Sequence, residues 1–349
     1  SQATEAAVAR GLSFLAATQT RQGFWGSAQD RHEKYGHVAV GKTALALLAF
    51  LGAGHTPQSA SEYGPIAKQA VDFLLAVQDE ASGHFGNSCS YSHGIATYAL
   101  GECFAITREE RLRVPLERAV AQILRHQVDD PDPRFFGGWG YYYLDDRSFD
   151  RWPRASITAW QVMALESARL GGLAVARDVF DRAKQFLMKS WDEGRGAFRY
   201  SHDPTRLDSA YGVLPGSTPA ALFALALLGE DVAGDSYQRA RSFVLERAPD
   251  GYRYTTESDF VHRARGNLYF WYYGTLAMFR VSGEPWERWN VAMKETLLPS
   301  QEANGSWRPI CNYAQYAGDD AEDRTYTTAL NVLTLEIYYR YFTPLLRVQ

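Results

Sequence analysis

The sequence predicts an all-α fold, an α/α toroid (α6/α6 barrel) of six helical hairpins in one domain spanning residues 1–349. Two observations predict it. A Gly-x-aromatic element recurs six times, its aromatic spaced 54 to 60 residues apart, about one helical hairpin with its loops. Between copies, amphipathic segments alternate with segments that are apolar nearly all round.

The copies are Gln19 with Gly23-Phe24-Trp25, Gln78 with Gly83-His84-Phe85 and Gln127 with Gly137-Gly138-Trp139. They continue with Trp191 and Gly196-Ala197-Phe198, a shortened Asp250-Gly251-Tyr252, and Gln301 with Gly305-Ser306-Trp307. Glycine allows a left-handed turn after a helix, and the ring that follows is expected to staple neighbouring hairpins. These residues read as structural.

The first helix of each hairpin keeps a polar stripe, as in 66–75, 182–188 and 239–245. The second reads as buried on every side: Val38 to Leu51, Ile95 to Ile106, Ile157 to Ala168, Pro219 to Leu228, Leu268 to Val281 and Thr327 to Tyr341. Six wet helices and six dry ones imply an inner ring within an outer ring. Joins from dry to wet helices are mostly short. Joins from wet to dry helices are long, and long connections in compact domains carry function.

All the long joins lead to the N-termini of dry helices, where free N–H groups and the positive dipole end favour an anionic or polar head. An aromatic-lined pocket is expected there. Polar residues at these junctions are the ligand-binding candidates: Tyr35, His37, Tyr91, Arg154, Asp208, Tyr211, His262, Arg263, Arg265, Asn267 and Tyr326. Tyr269, Trp271 and Tyr273, from the run Tyr269-Phe270-Trp271-Tyr272-Tyr273, join them as rings that would line an apolar cavity. Taken singly, each polar candidate also reads as a helix cap or loop ion pair.

The formal net charge is −4 with both signs interspersed, and no basic run suggests nucleic acid. Cys89, Cys103 and Cys311 lie too far apart for a disulfide framework or a Cys-x-x-Cys metal site, and buried or free thiols are expected. No apolar run reaches the roughly 20 residues of a membrane span. The chain starts at Ser1, so either a bacterial cytoplasmic location or export after removal of a signal is compatible with it.

The Gln-(x)n-Gly-x-Trp element followed by a buried helix resembles the QW repeat of squalene and oxidosqualene cyclases and the matching repeat of protein prenyltransferase β-subunits. The resemblance covers almost the whole chain and implies the toroid. Arg265-Gly266-Asn267-Leu268-Tyr269-Phe270-Trp271 resembles the prenyltransferase stretch Asp-Gly-Cys-Tyr-Ser-Phe-Trp, and Tyr326-Thr327-Thr328-Ala329-Leu330 the stretch carrying that family's zinc-binding His. At the zinc positions stand Arg265, Asn267 and Tyr326, none an ordinary zinc ligand, so no metal and no cofactor is expected. The C-terminal half also resembles bacterial squalene-cyclase-like proteins, through residues 269–274 and 334–341.

The cyclase acid motif Asp-x-Asp-Asp is absent; Arg154-Ala155-Ser156-Ile157-Thr158-Ala159 sits in an equivalent-looking place without the acids. The nearest substitute is Gly318-Asp319-Asp320-Ala321-Glu322-Asp323, where clustered carboxylates can raise one another's pKa. Asp319, Asp320, Asp323 and His93 are therefore the catalytic candidates, against the alternative of a solvated acidic loop. The expected function is binding of an apolar isoprenoid or lipid with an anionic head, with unconventional cyclase chemistry if the protein is active. Large cyclases enclose their substrate between two helical domains; with one domain here, the cavity is expected either to stay open or to be closed by a protein partner.

Two other function classes stay open. One is a glycosidase or polysaccharide lyase on the same architecture, with two carboxylates such as Asp208 and Asp320 as acid and base. The other is a non-catalytic interaction module like the complement thioester domains, although the Gly-Cys-Gly-Glu-Gln motif is absent.

Overall fold

The computed structural model describes residues 1–26, 31–32, 36–86, 88–143, 152–207, 209–310 and 319–338. Among them no helix is long and apolar enough to cross a membrane. The chain separates into two compact units. The first comprises Ser1–Arg125, Met163–Val175 and Ser300–Gln349, and the second His126–Val162 and Ala176–Pro299.

In the first unit lie α1 (Gln2–Thr18), α2 (Val38–Gly52), α3 (Gly64–Ala76), α4 (Ser90–Thr107) and α5 (Arg113–Arg125). Helix α6 (Ala155–Leu170) contributes residues to both units. The second unit holds α7 (Arg177–Lys189), the short α8 (Pro204–Leu207), α9 (Ser217–Leu227) and α10 (Gln238–Leu245). It continues with the short α11 (Glu257–Arg263), α12 (Leu268–Val281) and α13 (Gly283–Leu297). Helix α14 (Thr325–Leu335) returns to the first unit, followed by a 3-10 turn at Glu336–Tyr338. Two-residue hairpins pair Arg31–His32 with Gly36–His37, and Trp191–Asp192 with Ala197–Phe198.

The expected alternation holds helix by helix. Every residue of α2 from Ala39 to Gly52 is buried, while α3 buries only Gly64, Ala67, Ala70, Val71 and Leu74. Likewise α9 is buried from Ser217 to Leu225, whereas α7 buries only Val179, Ala183, Phe186 and Leu187. The long joins at 19–37, 77–89, 126–154, 190–216, 246–267 and 298–324 all end at a buried helix, as expected. Those at 190–216 and 246–267 contain the short helices α8 and α11.

The repeat works as a backbone clamp. Each glutamine side-chain amide donates to the carbonyl of its own glycine and to a carbonyl of another amphipathic helix. Gln19 reaches Gly23 and Ile66, both at 3.0 Å; Gln78 reaches Gly83 (3.0 Å) and Pro115 (2.9 Å); Gln127 reaches Gly137 and Val179, both at 2.9 Å. Gln301 closes the series by donating to Gly305 (2.9 Å) and Ala7 of α1 (2.8 Å). The aromatic N–H is then fixed to a buried helix. Trp25 donates to Thr43 Oγ1, Trp139 to Thr158, Phe198 to Thr218 and Trp307 to Thr328, at 3.0–3.3 Å.

Glycine is required here for two separate reasons. At Gly137 φ is +88°, and a Cβ would stand 2.2 Å from the carbonyl oxygen of Arg182. Gly305 repeats this against Arg10, with φ +88° and 2.2 Å. Left-handed conformation alone costs an ordinary residue roughly 1–2 kcal/mol, and a backbone collision adds to it. Gly229 supplies a control, since its φ is +85° with nothing within 4 Å of the missing Cβ.

Gly137→Ala should therefore destabilise the protein by at least about 3 kcal/mol in denaturant titration, and Gly229→Ala by about 1–2 kcal/mol. Equal losses would mean that the close approach to Arg182 contributes nothing.

Candidate functional site

In the first unit the acidic loop meets a lysine buried within the apolar helix α2. Lys42 is 2% exposed, and its Nζ lies 2.7 Å from Asp323 Oδ2 and 3.2 Å from Asp319 Oδ1. Asp319 is 3% exposed and accepts the backbone N–H groups of Tyr326 (3.1 Å) and Thr327 (2.8 Å), so it caps the start of α14. Its carboxyl is raised to about 6 in balance: burial pushes it up, Lys42 opposes that, the Asp323 carboxylate adds to it, and hydrogen bonding from Thr327 lowers it. Asp323 accepts the N–H of Thr325 at 3.0 Å.

Asp320 differs from its neighbour. It is exposed, and its Oδ1 accepts the N–H groups of Glu322 (2.7 Å) and Asp323 (2.8 Å), which hold its carboxyl below the ordinary carboxylate value. The acidic loop is thus only partly solvated, with Asp320 facing water and Asp319 packed away from it. His93 is fully buried on α4. Its Nδ1 accepts the N–H of Phe85 at 3.3 Å, so the Nε2–H donates to Ala119 O at 3.0 Å. It holds the second repeat as threonines hold four others, which is a structural post.

Sequence reasoning missed Lys42, although a lysine alone in an otherwise apolar helix is itself a signal. A buried cation demands a paired carboxylate. His37 is the residue before α2 and Tyr91 lies in the first turn of α4, both half-buried. Tyr35 and Asp208 fall outside the described residues, as does Cys311. Cys89 and Cys103 are buried, and burial raises both thiols, that of Cys103 to about 12.

In the second unit the aromatic run divides between two sides of α12. Tyr273 contacts Trp160 of α6 (ring centroids 5.4 Å apart), Tyr272 (5.4 Å), Tyr269 (4.9 Å) and Phe223 of α9 (6.5 Å). Tyr272 stacks on Trp160 at 5.8 Å. All these rings are buried except Tyr269, which is half-exposed and donates its hydroxyl to Ser156 O at 3.2 Å. Trp271 meets Tyr252 instead, at 6.0 Å, and so is not part of this cluster.

Just before α6, Arg154 is 4% exposed, with its guanidinium 5.3 Å from the ring centres of both Tyr141 and Tyr200, whose hydroxyls bond each other. It also donates to the carbonyl of Trp152. Tyr141, Tyr142 and Tyr143 are half-exposed, and Tyr143 donates to Gln161 of α6 at 2.6 Å. Asn267 is a buried N-cap, accepting the Phe270 N–H at 2.9 Å. Tyr211 is exposed and donates to Glu257 at 2.5 Å. His262, Arg263 and Arg265 line a separate groove. Among the described residues no group of three His, Cys, Asp or Glu side chains could hold a metal ion.

Removing one partner of a buried ion cluster leaves the others uncompensated. Lys42→Met should cost about 3–5 kcal/mol in denaturant titration, far more than any exposed lysine substitution. A second expectation concerns pH. A carboxyl raised from 3.8 to about 6 on folding favours the folded state most below pH 3.8, and that contribution is lost as pH rises through 6. The stability of the wild type relative to Asp319→Asn should therefore fall between pH 4 and 7; a flat difference across that window would show an ordinary carboxylate.

No protein-family model and no curated protein matches the chain. Solved structures do. The type II terpene cyclase MstE from Scytonema, in complex with geranylgeranyl dihydroxybenzoate, is 15% identical with a TM-score of 0.64, covering 96% of this chain and 97% of that one. The GH76A α-1,6-mannanase of Salegentibacter sp. HEL1_6 is 12% identical with a TM-score of 0.65, over 99% and 100%. A protein from Actinoplanes is 18% identical at 0.58, over 95% and 98%. The chain thus has the α/α-toroid fold shared by terpenoid cyclases and GH76 mannanases.

Proposed function

We propose that the protein is terpenoid-cyclase-like and takes an isoprenoid or related apolar ligand against the aromatic face of α6 and α12 in its second unit. The supporting observation is Tyr269, the half-exposed ring at the edge of the buried Trp160–Tyr272–Tyr273 cluster. Stacked rings that cannot relax away give an apolar chain a rigid surface, and their faces attract a developing cation. Arg154, held between two tyrosine rings, is the cation proposed to attract a polar or anionic head. Supporting the ligand class, the neighbour MstE is solved with geranylgeranyl dihydroxybenzoate.

The catalytic part of the proposal is narrower. Of the four candidates, Asp319 is the one whose burial favours a retained proton. An acid of pKa about 6 beside a lysine is a weak donor towards an alkene, which puts binding ahead of cyclisation. A protein partner that closes the ligand site belongs to the same reading, as does treatment of residues 1–349 as one functional domain. The mannanase has a TM-score of 0.65 beside 0.64 for the cyclase, so carbohydrate is the competing ligand.

Geranylgeranyl dihydroxybenzoate titrated into the protein should bind saturably, and Tyr269→Ala should weaken it roughly tenfold, about 1.4 kcal/mol. Trp271→Ala, on the Tyr252 side, should lower stability by about 3–5 kcal/mol while leaving affinity within about twofold. Binding of α-1,6-mannotriose with no uptake of the prenylated compound would replace this reading by the carbohydrate one.

A further inference from the structure

A second concentration of chemistry is a groove whose lining includes none of the clustered rings. In the second unit a groove of about 300 Å³ is lined by residues 246–248, Asp250, His262, Arg263 and Arg265. Two helices, α10 and α11, end beside it, and helix C-termini carry partial negative charge. Left bare, those carbonyls would repel an anion.

Arg247 reverses that field. Its guanidinium lies 3.7 Å from the centre of the Phe243 ring, its Nη1 donates to Phe243 O at 3.0 Å and its Nε to His262 O at 3.2 Å. One cation therefore covers a carbonyl from each helix end and is fixed against a ring. Arg265 is fixed as well, at 3.1 Å from Asp250 and 3.6 Å from Asp259. Asp250 is shared with Arg253 at 3.2 Å, so its charge is spread over two arginines. Glu246 stands 3.8 Å from Arg247 and is exposed. Arg263 makes a single long contact, 3.8 Å to Asp259, and its side chain is 65% exposed. The lining holds three guanidinium groups against two carboxylates, Glu246 and Asp250.

We propose that this groove binds a phosphate-class dianion, a free phosphate or diphosphate or the head of a phosphate ester. Guanidinium forks match phosphate oxygens, and two of the three here are already immobilised, so little ordering entropy opposes binding. Arg263, the most exposed of the three, is the arm that completes the contact. The groove's lining shares no residue with the aromatic face.

Calorimetric titration of the intact protein with inorganic phosphate, inorganic diphosphate and octyl phosphate tests it. Saturable binding is expected, tightest for diphosphate or octyl phosphate and weakened by salt. Arg263→Gln should weaken it roughly tenfold and Arg263→Lys by a smaller factor. Arg177→Gln, on exposed α7, and Tyr269→Ala should leave it within about twofold. Octyl phosphate binding about tenfold tighter than phosphate would assign an ester of an apolar alcohol, and equal affinities the free ion. Absence of saturable uptake up to about 10 mM, or wild-type affinity in Arg263→Gln, would overturn the site. Prenyl binding weakened about tenfold in Tyr269→Ala, with diphosphate binding intact, would confirm that the two sites are separate.

Discussion

A glutamine amide that serves two carbonyls at once is the contact on which this architecture depends. Helices packed only by apolar side chains can slide or rotate by a fraction of a turn at little cost. A side-chain amide bonded both to its own glycine carbonyl and to a carbonyl near the start of another helix fixes the height of one helix against the other, as Gln127 does between Gly137 and Val179. The bare Cα of Gly137 permits this approach, and the Trp139 N–H bonded to Thr158 ties the clamp to a buried helix. The glycine carbonyl of the turn gains its donor from the same contact.

Much of the fold was legible because it repeats. The residues 66–75 and Val38 to Leu51 announce a wet and a dry helix by composition alone, and the dry helices begin within a few residues of the predicted positions. The glycine-aromatic elements read correctly as structural, although the bond from the aromatic N–H to a threonine was not foreseen. His93 shows why. It accepts the Phe85 N–H in the place that Thr43 or Thr158 holds elsewhere, a contact that residue type alone does not announce.

The candidate sites were less legible, because each joins residues far apart in the chain. Lys42 and Asp323 are separated by 281 positions, and no local pattern links them. The acidic loop was visible but its cation was not, and the alternative of a solvated loop fits Asp320 but not the buried Asp319. Within the aromatic run, helical geometry separates Tyr269 and Tyr273 from Trp271, which composition could not do. The partners Trp160 and Tyr141 come from other segments, and their roles follow only from tertiary packing. Fold likeness does not choose between prenyl chain and sugar, since both kinds of enzyme share the scaffold.

The bond from Gln301 back to Ala7 also bears on how the protein is made. Helix α1 finds one of its fastening points only after some three hundred further residues have been synthesised. Until then the apolar side of α1, with Leu12 and Leu15, lacks part of its cover. A nascent chain in that condition is exposed to aggregation, and its first unit must wait for sequence translated after the second. The discontinuous arrangement therefore sets an order of events during synthesis, in which the middle of the polypeptide can consolidate before its beginning does.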